Sequence, residues 1–154
     1  VTAVLVVGLG HPDRGDDAVG WHVVQAVARR YPDLPVRTLL DPAGLLDLGP
    51  GVAHVVVVDA VREPDRLGRV RVLDASDGLD QTPSGTMSSH GLGLADVLTL
   101  GRSADVLPAR VSVVAVAGGR WQAGEPPQEQ VEAAVDEAVD VVVGLVGLGG
   151  PSDS

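Results

Sequence analysis

The sequence predicts an α/β fold: a three-layer αβα sandwich around a mostly parallel central sheet of about five strands. Three observations predict it. Short unbroken runs of β-branched residues, such as Val55-Val56-Val57-Val58, read as strands buried on both faces. Between them lie segments whose apolar residues recur four apart, as a helix packed on a core requires. Glycine and proline mark the junctions between the two kinds of segment. A length of 154 residues suffices for one hydrophobic core, so residues 1–148 are expected to form a single domain, with a flexible tail over 149–154.

Taken in order, Ala3 to Val7 is a strand, and its lack of polar alternation predicts a central position before Gly8-Leu9-Gly10 ends it. After the loop His11 to Gly15, Val19, Val23 and Val27 give one helical face, and that helix stops near Tyr31-Pro32. Val36 to Leu40 is the second strand. Asp41 then serves as N-cap with Pro42 at the first helical position of a short helix through Leu48. His54 to Val58 is a buried strand expected to terminate at Asp59. Arg69 to Leu73 alternates charged and apolar residues, which predicts a half-exposed strand near a sheet edge. Asp74 to Ser89 has no period and is expected to be a long loop. A helix from His90 to about Leu100 and a buried strand from Val111 to Val116 follow. The last helix opens at Glu125-Pro126-Pro127 and turns Val131, Val135, Ala138, Val142 and Leu145 inward.

Composition narrows the chemistry. A net charge of −10 repels phosphate backbones and anionic lipid alike, so neither nucleic acid nor membrane insertion is expected. All eleven basic residues are Arg; the absence of Lys excludes a Schiff base and a P-loop lysine. The absence of Cys excludes disulfides, thiolate metal sites and a thiol nucleophile. No apolar run approaches the ~20 residues of a membrane span, and the first one is broken by Gly8 with no basic segment before it. A cytoplasmic protein is the expectation.

In a parallel sheet, ligands sit outside the carboxyl ends of the strands, where strand order reverses. Three polar clusters fall at such ends: Gly15-Asp16-Asp17 after strand one, Asp59 after the valine run, and Ser88-Ser89-His90 where a loop enters a helix. Asp17, Asp59 and His90 are the candidate catalytic and metal-binding residues. Two carboxylates and an imidazole suit a divalent cation with open positions, without choosing among zinc, iron, manganese and nickel.

Each residue also has a structural reading. Asp16 reads as a helix cap, and Asp17 is as consistent with first-turn electrostatics as with a ligand. Asp59 follows four valines and needs a partner or a solvent cleft. His90 gains its role only by convergence with the acids. His22 and His54 are assigned to structure, while His11 lies in the glycine loop beside the expected crevice. Trp21 and Trp121 read as core or subunit-interface residues. Gly8-Leu9-Gly10 fails the dinucleotide fingerprint, because Asp13 stands where its third glycine belongs and the Asp16-Asp17 pair repels a pyrophosphate. No G-x-S-x-G elbow exists for a serine nucleophile.

Gly8-Leu9-Gly10-His11, then Gly15-Asp16-Asp17-Ala18-Val19-Gly20, then Val58-Asp59-Ala60, then Ser89-His90-Gly91-Leu92-Gly93-Leu94 together resemble the hydrogenase maturation proteases, in the same order along nearly the whole chain. The first block is the most specific. Two positions depart from the family pattern: His11 replaces the usual Asn, and Ala18 occupies a place often held by Gly. The resemblance carries the family's metal-binding carboxylate onto Asp17, its strand-end aspartate onto Asp59 and its histidine onto His90.

It implies an endopeptidase that removes the C-terminal extension of a nickel-iron hydrogenase large-subunit precursor. Nickel already carried by that substrate, contacted by the two acids and the histidine, would serve as the checkpoint; another divalent cation would take its place in crystals. Peptide hydrolysis then has three routes: a metal-polarised carbonyl, a metal-activated water, or Asp17 or Asp59 as general base. An open acidic site suits transient capture of a substrate-borne cation, and Asp74 to Ser89 is the expected docking loop. Two other classes compete with this reading. A non-catalytic nickel-binding or chaperone-like maturation partner would hold the precursor without cutting it, and a nucleotide-binding α/β domain would respond to dinucleotide rather than to nickel.

Overall fold

The computed structural model describes residues 3–78 and 93–147. His90, most of the expected docking loop and the expected tail lie outside the described residues. Five strands form one sheet: β1 (Val4–Leu9), β2 (Val36–Leu39), β3 (His54–Arg62), β4 (Val70–Asp74) and β5 (Arg110–Gly118). Their order is β2-β1-β3-β5-β4. β1 pairs in parallel with β2 and β3, β3 pairs in parallel with β5, and β4 runs antiparallel against β5 at the edge. The α/β sandwich expected from the sequence is therefore present, with β1 and β3 central and β4 the half-exposed edge.

The unbroken apolar runs are explained by cover on both faces. On one face α1 (Val19–Arg30), α3 (Glu129–Ala133) and α4 (Val135–Leu145) set Val19, Val23, Val27, Val135, Val139 and Val142 against Val6, Val56, Val58, Val114 and Val116. On the other, α2 (Leu94–Ser103) and a 3₁₀ segment (Pro42–Asp47) bring Leu45, Val97 and Leu98 against Leu5, Val7, Val55, Val57 and Val113. Alternate residues of one strand thus enter different cores, so neither set is free to be polar. The 3₁₀ segment starts as expected, with Asp41 Oδ1 accepting from the Ala43 N–H at 2.8 Å ahead of Pro42. Among the described residues no helix is long and apolar enough to cross a membrane.

Several boundaries differ from expectation: β1 runs on through Gly8 and Leu9, β5 extends to Gly118, and the last helix starts at Glu129 rather than Glu125. β3 does not end at Asp59 but continues to Arg62, because β5 keeps pairing with it through Arg62 opposite Gly118. The β1 pairing stops earlier, at Gly8 opposite Val58. Asp59 is thus the first residue of β3 with a strand on one side only. The last helix is divided at Ala134 into α3 and α4, while Val131, Val135, Ala138 and Val142 keep the expected inward face.

Candidate functional site

The chain passes from β1 to β2 on one side of the sheet and on to β3 on the other, so strand order reverses between β1 and β3. A 3₁₀ turn (Gly15–Ala18) leads into α1 there and contacts β3. Two glycines permit this crowding. Gly10 has φ +129°, and a Cβ on it would strike the Asp17 carbonyl; a Cβ on Gly20 would press into the carbonyls of Leu9 and Val58. The start of α1 therefore sits hard against the ends of β1 and β3.

Asp17 lies in this turn, half-buried, and its Oδ2 accepts the His11 N–H at 2.9 Å. Burial raises its pKa above the ordinary carboxylate range, opposed by that hydrogen bond, by attraction to Arg14 and His11, and by a side-chain hydrogen bond from Trp121. Asp59 is half-buried at the step where β1 stops, and its Oδ1 accepts the N–H of Ala60 at 2.9 Å. Burial, then the charge of Asp17, push its pKa up to about 7. A carboxylate whose ionisation is disfavoured by burial and by a neighbouring acid, with a pKa near neutrality, is able to exchange a proton.

The structure thus brings Asp17 and Asp59 together; His90 is outside the described residues, and among those described no three His, Cys, Asp or Glu side chains gather as a metal site. Asp16 points elsewhere. Its Oδ2 accepts the N–H groups of Gly119 and Arg120 at 2.8 and 3.0 Å and the Gln128 side-chain amide at 2.7 Å, while Oδ1 takes the Gln128 N–H at 2.7 Å. It caps a helix, but α3 rather than its own. Burial opposes its charge, yet these four donors outweigh burial and hold its pKa below the ordinary value.

The His11 ring accepts the Asp13 N–H at 3.3 Å on Nδ1, so the backbone rather than the imidazole is what meets Asp17. His22 pairs with Glu132 at 2.7 Å between α1 and α3. His54, buried at the amino end of β3, meets Ser112 Oγ at 2.9 Å.

Trp121, expected as a core or subunit-interface residue, packs on the core. It stands three residues beyond the end of β5, at the same sheet edge as the two acids, where it carries the exposed Arg62 guanidinium 4.6 Å from its ring centroid.

The comparisons agree with this architecture. Residues 21–145 match the model of the hydrogenase maturation protease family. The chain is 26% identical over 144 residues to the hydrogenase 2 maturation protease of Escherichia coli strain K12, covering 91% of this chain and 88% of that one. Among solved structures it is similar to the hydrogenase maturating endopeptidase HybD from E. coli, with TM-score 0.74, 26% identity, and 99% and 100% of the two chains covered. It is also similar to the hydrogenase 2 maturation peptidase from Thaumarchaeota archaeon SCGC_AB-539-E09, with TM-score 0.67, 32% identity, and 96% and 100% covered. A doubly wound sheet, a pair of acids at its switch point and a family match across most of the chain lead to one assignment: the chain belongs to the hydrogenase maturation protease family and is a peptide-bond hydrolase of that kind.

Proposed function

We propose that this enzyme removes the C-terminal extension of a nickel-loaded nickel-iron hydrogenase large-subunit precursor, and that Asp17, Asp59 and His90 recognise the nickel the precursor carries. The observation that carries the reading is the Asp17–Asp59 pair, in which burial first and the charge of Asp17 second raise the pKa of Asp59. A divalent cation beside the two acids would favour their charged forms against that burial. Oxygen donors from the two acids and nitrogen from a histidine fit a borderline metal, and an incomplete protein ligand set leaves positions for the substrate's own groups. His90 precedes α2 by four residues, and α2 packs on the sheet face that holds Val55 and Val57. Strand alternation puts Asp59 on that same face.

Within this reading the chain's residues have distinct tasks. The His11 N–H orients Asp17. Asp59, protonated or charged near neutral pH, is the carboxylate able to exchange a proton with water or with the leaving amine. The proposed setting is the cytoplasm, where the precursor would be met before its subunit closes.

Incubation with a nickel-loaded precursor should give a shortened large subunit, detected by mass, while the nickel-free precursor stays intact. Equal cutting of both would remove the checkpoint. An uncut loaded precursor, still bound by the protein, would replace the protease reading with a holding role.

A further inference from the structure

The chain carries a net charge of −10, yet four of its eleven Arg fall within residues 62–71, where the only acids are Glu63 and Asp65. The connection from β3 to β4 holds them at the carboxyl end of β3. It includes a 3₁₀ turn (Pro64–Arg66) and is tied across the end of β5. The Glu63 N–H donates to the Gly118 carbonyl at 2.8 Å, the Gly68 N–H to the Ala117 carbonyl at 2.9 Å, and the Ala117 N–H to the Arg69 carbonyl at 2.9 Å. Gly68, at φ +84°, lets the connection lie against α3, since a Cβ there would strike the Gln130 carbonyl. Arg71 is occupied, pairing with Glu63 at 2.9 Å. Arg66 and Arg69 instead line an open groove of about 560 Å³ together with Leu67 and Gln130. Among the described residues neither of these two Arg has an ion pair. Asp65 shares the rim and is exposed.

Two guanidinium groups on a hydrogen-bonded backbone, in a chain that elsewhere repels anions, suit a carboxylate. The groove lies at the same end of the sheet as the paired acids. Arg62 stands three residues beyond Asp59 on β3, roughly 10 Å further along the strand, exposed over the Trp121 ring. The connection begins at the next residue. A peptide held at the acids therefore reaches the groove by passing over the ends of β3 and β5. We propose that the groove between Arg66 and Arg69 docks the free α-carboxylate at the end of the precursor's C-terminal extension, a role that rests on the proposed protease reaction. A substrate cut near its C-terminus ends in that carboxylate whatever its sequence, and it is a charge that an acidic enzyme otherwise repels.

The probe is a synthetic, fluorescently labelled peptide of the precursor's C-terminal end, made as the free acid and as the C-terminal amide. Wild-type protein should bind the acid about fivefold more tightly than the amide by anisotropy, and salt should shrink the difference. Arg66→Gln and Arg69→Gln should each weaken the acid about threefold and leave the amide unchanged, and Asp65→Asn should tighten the acid by up to twofold. In processing, both Arg variants should raise KM for the nickel-loaded precursor by a similar factor at constant kcat, since neither residue touches the scissile bond. Equal binding of acid and amide by the wild type, or wild-type KM in both Arg variants, would overturn the proposal. Acid and amide weakened alike by Arg66→Gln would also overturn it, and would assign the groove to acidic side chains instead. Failure here with the precursor still cut leaves the protease reading standing, whereas an uncut precursor overturns that reading whatever the peptides do.

Discussion

Asp16 and Asp17 are neighbours in one 3₁₀ turn, yet they serve opposite sides of it. Asp16 faces the exit of β5 and the start of α3, where four donors satisfy it and its charged form is favoured. Asp17 faces the ends of β1 and β3, where one backbone N–H, Arg14, His11 and Trp121 fall short of offsetting burial. The difference teaches where the fold places stability and where it places reactivity. A carboxylate with every lone pair occupied is a rivet, whereas one left under-compensated beside a second acid is available to a substrate.

The sharpest way to break that contrast is to neutralise the reactive side. Asp17→Asn and Asp59→Asn should each lower precursor processing by at least ~100-fold, followed by gel shift of the large subunit, with circular dichroism unchanged. Asp59→Asn should also melt higher than wild type above neutral pH, because it removes a buried charge that the fold resists. Activity surviving in both variants would end the assignment of the pair.

The riveting side predicts the reverse behaviour. Asp16→Asn presents an amide N–H₂ to groups that are themselves donors, so it should cost about 2–4 kcal/mol in urea unfolding. The ordinary preference for Asn at a helix cap does not soften this, since the cap here is one of four simultaneous bonds. Enzyme that remains folded should still cut. Selective loss of cutting without loss of stability would exchange the roles of the two neighbours.

A smaller effect lies in pH. Asp59 has a folded pKa raised to about 7, so the folded chain binds more protons than the unfolded one between the ordinary carboxylate value of 3.8 and about 7. Stability from this group falls as pH rises through that window. Asp16, with its folded pKa lowered, has the opposite sign: its contribution is complete above 3.8 and is lost as pH falls through the lower folded value. Thermal melts from pH 4 to 8 should therefore decline toward the upper end, and Asp59→Asn should flatten the decline. An unchanged slope would show that Asp59 is not the group responsible.

The layers and central strands were legible because burial on both faces leaves a run such as Val55 to Val58 no polar alternative. Asp17 and Asp59 were legible as carboxylates at strand ends. The end of β3 was misread because pairing with β5, not the first charged residue, decides where that strand stops. The partners of Asp16 lie 103 to 112 residues away, a distance no local pattern reports.

The long reach of Asp16 has a consequence for biosynthesis. The turn that bears Asp17 is made early, but the groups that fasten it, from Gly119 to Gln128, are made 103 to 112 residues after Asp16. Contacts this remote in sequence close late, after the intervening strands have paired. A nascent chain stalled before β5 would lack every one of these fastening groups, so the turn bearing Asp17 is secured only after β5 and the start of α3 have been made.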